Sequence, residues 1–194
     1  MNEEEKKITA YHESGHAVVG HILENTDPIH KISIVSRGMA LGVTWSLPEE
    51  DRKLMSKAQL EDELAMLLAG RAAEQIFMKD ITTGATNDME KATKLSREMV
   101  TRYGMSAKLG HRVYGRRDEL VFLGRELGEH DKDYSEKIAA DIDSEVDRLI
   151  EEGYGKAVST INKNKKKLEN VAAELLKKET LDSAEFLAIM GAKA

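Results

Sequence analysis

His12-Glu13-Ser14-Gly15-His16 forms an H-E-x-x-H pattern near the start of the chain. At 3.6 residues per turn, helical side chains at i and i+4 stand one above the other, so His12 and His16 would point the same way. Two imidazoles at that spacing can hold one cation at about 2.0–2.1 Å each, and zinc suits a mixed imidazole and carboxylate set. Glu13 lies to one side, within reach of water beside the metal without being a ligand. Such a carboxylate takes a proton from water, whose pKa a metal lowers toward about 7, as that water attacks a carbonyl. The competing reading is two histidines packed or hydrogen-bonded inside an amphipathic helix. It must accommodate two polar rings on a buried face, and Gly15 within a helix at about 1 kcal/mol relative to Ala. A close backbone approach around a metal accounts for the glycine better.

Two histidines leave a third protein ligand to find. The longer pattern H-E-x-x-H-x-x-G-x-x-H needs Gly at 19 and His at 22, where the chain has Val19 and Ile22. His21 is rotated well off the shared face. Two carboxylates are placed for the task. Glu74 ends the run Ala69-Gly70-Arg71-Ala72-Ala73-Glu74, and Asp88 follows Thr82-Thr83-Gly84-Ala85-Thr86-Asn87. Spacing alone does not choose between them, and either could be an ordinary helix-terminal or salt-bridging acid.

The elements that must carry these residues are mostly helical. Both prolines, Pro28 and Pro48, fall early, and the proline-free remainder is rich in Ala, Leu, Glu and Lys, as helices require. Between the prolines, Ile29–Val35 and Ala40–Ser46 are β-branched and partly alternating, with Arg37-Gly38 as turn material, which predicts a β-hairpin or two strands of a small sheet. Five or six helices are expected around it. The first runs from about Glu4 to Glu24, with Ile8, Tyr11, Gly15, Val18, Val19 and Ile22 on one stripe. The second starts at Ser56, whose S-x-x-Q capping box with Gln59 marks its entry, and runs to about Met78. The third opens near Asn87, where Asn87-x-x-Glu90 resembles a capping box, and stops at Gly104. Residues 105–134 are glycine-punctuated, with strand-like bits at His111–Tyr114 and Leu120–Leu123. A long helix follows from Ser135, with Gly153 and Gly155 expected to bend or break it, and Leu168–Lys178 and Ser183–Met190 finish the chain. Lys163 and Lys165–Lys167 read as a solvated helix end.

Length and composition bound the function. A chain of 194 residues with 41% hydrophobic residues is expected to form one domain with a sizeable core. A net charge of −6 argues against nucleic acid as the main partner. The absence of cysteine excludes disulfides, thiolate zinc fingers and a cysteine nucleophile. No apolar stretch approaches the 18 or more residues of a membrane span, and the N-terminal Asn-Glu-Glu-Glu-Lys-Lys is not a signal peptide. The composition is that of a soluble, intracellular-type chain.

With these motifs taken together, the sequence resembles the peptidase domain of the FtsH family, membrane-anchored, ATP-dependent zinc proteases. The resemblance covers roughly Lys7 to Leu187. It rests on His12–His16 followed by Ala17, on Gly42-Val43-Thr44 with Leu47-Pro48-Glu49-Glu50-Asp51, and on Ala69–Glu74. Thr82-Thr83-Gly84-Ala85 through Asn87-Asp88, Met99-Val100-Thr101 with Tyr103-Gly104-Met105-Ser106, and Phe122-Leu123-Gly124-Arg125 add to it. The resemblance implies a mainly α, zincin-like peptidase fold with a small β element beside the active site, residues 1–194 forming one domain whose C-terminal part, about 135–194, is helical. It implies zinc ligands at His12, His16 and Asp88, a general base at Glu13, and Glu74 as a residue orienting a ligand imidazole. It also implies a substrate-binding strand at Gly42, Val43 and Thr44, whose free edge pairs with unfolded polypeptide.

The same resemblance implies a homo-hexamer working with an ATPase module of the same protein, in the bacterial inner membrane with this domain on the cytoplasmic side. Two departures stand out. Ser14 replaces the usual Ala and is expected to be a small exposed change. The family's transmembrane segments and ATPase module are missing, since no G-x-x-x-x-G-K-[ST] occurs, so an isolated peptidase domain that does not hydrolyse ATP is expected. The non-enzymatic alternative is a helical assembly module whose metal is absent, or structural with four protein ligands and no open position.

Overall fold

The computed structural model describes residues 2–35, 42–47, 54–115 and 133–193. In chain order these form α1 (Glu3–Ile22), β1 (Ile29–Ser33), β2 (Val43–Ser46), α2 (Lys57–Met78), a 3-10 turn (Thr83–Ala85), α3 (Thr86–Thr101), α4 (Glu136–Lys163), α5 (Lys165–Lys178), β3 (Thr180–Asp182) and α6 (Ser183–Met190). The fold is mainly helical, with one small antiparallel sheet. No helix among the described residues is long and apolar enough to cross a membrane.

Helix entries follow local chemistry. Asn2 and Glu5 close a capping box at the start of α1, Ser56 and Gln59 do so for α2, and Asp182 and Glu185 for α6. In each, two otherwise orphaned N–H groups are satisfied reciprocally. The third helix departs from expectation. Asn87 and Glu90 make no cap; α3 begins at Thr86 with Ala85 as its N-cap and no side-chain cap bond. The preceding 3-10 turn feeds the chain directly into the helix, and the Thr86 hydroxyl donates to the Thr83 carbonyl at 2.7 Å. Asn87 is thereby inside the first turn. Gly104 adopts φ +62 just past the end of α3.

The expected break at Gly153 and Gly155 is absent: α4 runs unbroken through both. A Cβ at Gly153 would lie 3.2 Å from Leu64 Cβ, so this glycine answers to the approach of α2. His111–Tyr114 forms no strand; the Tyr114 ring is buried, and its N–H donates to the Thr101 carbonyl at 2.9 Å. The turn expected at Arg37-Gly38 and the strand-like Leu120–Leu123 lie outside the described residues.

The sheet has the order β2-β1-β3. Ile32 pairs with Thr44 on one side and with Leu181 on the other. The third strand, β3, was not anticipated from sequence. It is a three-residue connection between α5 and α6, too short to show a period, and it becomes a strand by pairing with β1.

Two apolar cores share α2. Its small residues Ala65, Ala69, Ala72 and Ala73 belong to the core that α1 shares with β1, α5 and α6, and its leucines Leu60, Leu64 and Leu68 belong to the core built with α3 and α4. The alanine face lets α1 come unusually close. A Cβ at Gly15 would fall 2.5 Å from the Ala69 carbonyl oxygen and 2.8 Å from Ala73 Cβ. Gly15 therefore serves the helix crossing, not a metal. Ser14 is likewise not exposed: it is fully buried, and its hydroxyl donates to the Ala10 carbonyl at 2.6 Å. From His12 to His21 every residue of α1 is buried, whereas Ile22, placed on the apolar stripe, is 40% exposed. A helix enclosed on all sides carries no one-sided stripe.

Candidate metal centre

His12 and His16 lie one turn apart on α1 and face α2 where Gly70 passes. A Cβ at Gly70 would stand 2.5 Å from His12 Nε2 and 2.6 Å from His16 Nε2. Only a residue without a side chain leaves the two rings their place. The sequence held a signal for this, a glycine in the middle of a well-capped helix at about 1 kcal/mol relative to Ala, but nothing in it said which residues needed the room.

The two Nε2 atoms are 3.0 Å apart, and Asp88 Oδ2 lies 3.3 Å from the first and 3.2 Å from the second. Asp88 sits in the first turn of α3, where exposed N–H groups favour negative charge. Among the described residues, His12, His16 and Asp88 form the one group of three or more His, Asp or Glu side chains close enough to share a metal ion. Bonds of about 2.0–2.1 Å at tetrahedral angles put neighbouring ligand atoms about 3.3–3.4 Å apart, and the triangle above is close to that.

Hydrogen bonding on the far side of each ring sharpens the point. His12 Nδ1 is 2.6 Å from Glu74 Oε1, and His16 Nδ1 is 2.7 Å from the Met66 carbonyl oxygen. A carbonyl and an ionised carboxylate can only accept, so both Nδ1 atoms carry hydrogen. With both rings neutral, each turns a lone pair from Nε2 toward the other and toward Asp88, so three acceptors converge and a positive charge is what the set lacks. Without a metal, a proton on His12 partly meets that need. Burial disfavours a charged His12, but Asp88 and Glu74 outweigh it and raise its pKa to about 9. Asp88, despite burial, is held well below the usual carboxylate range by the two imidazoles. Glu74 is lowered too, against its burial, by His12 and the Thr82 N–H, which donates to Oε2 at 2.8 Å. The residues therefore fit a divalent cation.

Glu13 is buried and reaches toward the sheet. The Thr44 hydroxyl donates to Glu13 Oε2 at 2.6 Å and lies 3.2 Å from the Glu13 carbonyl oxygen. Gly42, Val43 and Thr44 line the same cleft as His12, His16 and Asp88, a space of about 1420 Å³. β2 is an edge: β1 covers one side, and no strand among the described residues covers the other. Sequence reasoning assigned Thr44 to substrate through its strand and missed its side chain's partner. It also missed the Met66 carbonyl and the Thr82 N–H, which as backbone groups leave no mark on residue type.

Comparison with known proteins gives a consistent picture. The model of peptidase family M41 matches residues 1–189. The chain is 53% identical over 183 residues to the ATP-dependent zinc metalloprotease FtsH of Rubrobacter xylanophilus, covering 94% of this chain and 28% of that protein. It is 51% identical over 186 residues to ATP-dependent zinc metalloprotease FtsH 1 of a Thermoanaerobacter species, covering 96% and 30%. With the FtsH of Acidobacterium capsulatum the identity is 48% over 193 residues, covering 100% and 30%. The chain thus spans less than a third of the length of these curated relatives.

Proposed function

The chain belongs to peptidase family M41, and from that premise we propose that it is a zinc-dependent endopeptidase, the proteolytic part of an ATP-dependent protease that degrades unfolded polypeptides. The observation that carries this reading is the convergence of His12 Nε2, His16 Nε2 and Asp88 Oδ2 within 3.0–3.3 Å. These three side chains would hold Zn2+. When bound, zinc supplies Lewis acidity, polarising a peptide carbonyl and making water more acidic.

The remaining work falls to the chain's own residues. Glu13 takes the proton from the attacking water and delivers it to the leaving amine. Glu74 fixes the His12 ring through Nδ1–H and the Met66 carbonyl fixes His16 in the same way, so both Nε2 atoms stay aimed at the metal. Support for Asp88 over Glu74 as third ligand is that Glu74 bonds the opposite nitrogen of His12 from the one facing Asp88. The edge of β2 at Val43 and Thr44, together with Gly42 just before it, pairs with extended substrate backbone, which selects for unfolded chain with little regard to side chains.

A purely structural site would have a fourth protein donor. The cluster holds three among the described residues, which favours the catalytic reading over an assembly module. In the whole protein, the chain works beside an ATPase module in a hexamer anchored to the bacterial inner membrane, with this domain on the cytoplasmic side. The relatives' names, which include ATP dependence, support the first of these. The test is Glu13→Gln: the variant should retain bound zinc, measured by elemental analysis, and lose cleavage of an unfolded protein such as casein. Undiminished hydrolysis would refute the assignment.

A further inference from the structure

We propose that Thr44, on the strand that would receive substrate, positions the carboxylate of Glu13, and that Gly42 leaves the room this requires. The proposal rests on reading Glu13 as the general base and extends it to the residues that hold that base.

Thr44 has one hydroxyl hydrogen and two acceptors in reach, Glu13 Oε2 at 2.6 Å and the Glu13 carbonyl oxygen at 3.2 Å. The shorter contact, to an ionised group, is the stronger bond. Glu13 Oε2 is thereby anchored, while Oε1 has no hydrogen-bond partner among the described residues and is left to act on water. A hydroxyl can thus hold the carboxylate in one place, which an apolar side chain of the same shape cannot.

Gly42 supplies the other half of the clamp. A Cβ there would lie 2.6 Å from Glu13 Oε1 and 2.8 Å from Cγ, so any side chain would displace the working end of the base. Thr44 lies on β2 and Gly42 immediately precedes that strand; the inner edge pairs Thr44 with Ile32, and no strand among the described residues covers the outer edge. Substrate pairing on β2 and placement of the base therefore act through the same backbone.

The experiment uses the full zinc-loaded chain and a short unstructured peptide. Thr44→Val removes the O–H and keeps the shape. It should lower kcat about 10- to 100-fold while KM and zinc content stay within about twofold, as expected for a misplaced catalytic group. Thr44→Ser should bring kcat back close to wild type. Peptide affinity is read independently of turnover in a Glu13→Gln background, from the fluorescence of Trp45. This residue, the chain's one tryptophan, follows Thr44 on β2 and is 56% exposed. Its reported Kd should not change with Thr44→Val.

Wild-type kcat in Thr44→Val, a loss confined to KM or Kd, or serine as damaging as valine would overturn the proposal. Should Thr44→Val fail to fold by circular dichroism, Gly42→Ala decides, since it must lower kcat with peptide affinity retained. Failure of the underlying reading looks different: Glu13→Gln would then cleave as well as wild type. An inactive Glu13→Gln beside a fully active Thr44→Val would reject only the role of Thr44.

Discussion

Two buried acids on α2, Asp62 and Glu74, are almost equally hidden from water, at 2% and 1% exposure, yet they sit in opposite electrostatic situations. Asp62 accepts from the Asn25 backbone N–H at 3.0 Å, from Asn25 Nδ2 at 2.9 Å and from the Lys156 ammonium. Donors and charge are supplied in full, and the network closes on itself. Glu74 is also well served, by His12 Nδ1 and the Thr82 N–H. Its partner His12, however, carries the demand onward, because the other ring nitrogen faces His16 and Asp88, which have no hydrogen to give. A closed network staples the segment after α1 to α2 and α4. An open one, with acceptors converging on a shared point, is a place for a cation. Burial by itself does not distinguish structure from function; the sum of donors and acceptors does.

The largest test of this contrast removes a converging acceptor. Asp88→Asn should lower zinc affinity by about 1,000-fold or more, as loss of one of three donors from a site worth of order 10–16 kcal/mol. Glu74→Gln, which acts through the His12 ring, should cost only about 10- to 100-fold. Equilibrium dialysis of both variants against zinc checks the order, and a greater loss from the glutamate change would reverse the ligand assignment. The complementary variant belongs to the closed network. Asp62→Asn should leave zinc affinity unchanged and lower unfolding free energy by about 1–3 kcal/mol, read from urea melts; a change in zinc affinity would show that the two clusters are coupled.

The smallest effect is in pH. Glu145 belongs to another closed network, with Arg148 at 2.9 Å and the Ser106 hydroxyl at 2.6 Å. The Arg148 hydrogen bonds hold its pKa at about 2, below the ordinary 4.5, against some opposition from burial. A carboxylate depressed in the folded state contributes stability above its unfolded pKa and loses it as pH falls through the folded value. Metal-free protein should therefore lose stability as pH drops from about 4.5 toward about 2. Glu145→Gln should flatten that part of the profile in thermal melts, and an unchanged profile would remove Glu145 from the account.

Legibility of the sequence differed sharply between features. Ser56 with Gln59 marks the start of α2, because a capping box is completed within one turn of chain, and the expected span Ser183–Met190 coincides with α6. The long helix was mistaken at Gly153 because glycine's propensity is local, whereas the reason for this glycine is Leu64 on another helix. Gly15 was assigned to a metal when its close neighbours are Ala69 and Ala73. Ser14, expected to be exposed, is fully buried, and the pattern of a single helix cannot reveal neighbours that enclose it on every side. In each case the missing information was the identity of the element across the gap.

The residues alone determined that His12 and His16 share a helical face, since an i to i+4 spacing fixes direction wherever the helix goes. They also determined the reach of Glu13 and the family to which the motifs point. Only the tertiary structure decided that Asp88 meets the two Nε2 atoms while Glu74 takes Nδ1, that Gly70 opens space for both rings, and that Thr44 reaches Glu13. These contacts join segments far apart in the chain, and which of them form depends on how closely α1, α2, α3 and β2 can pack, a property of volumes meeting in space that no single stretch of sequence contains.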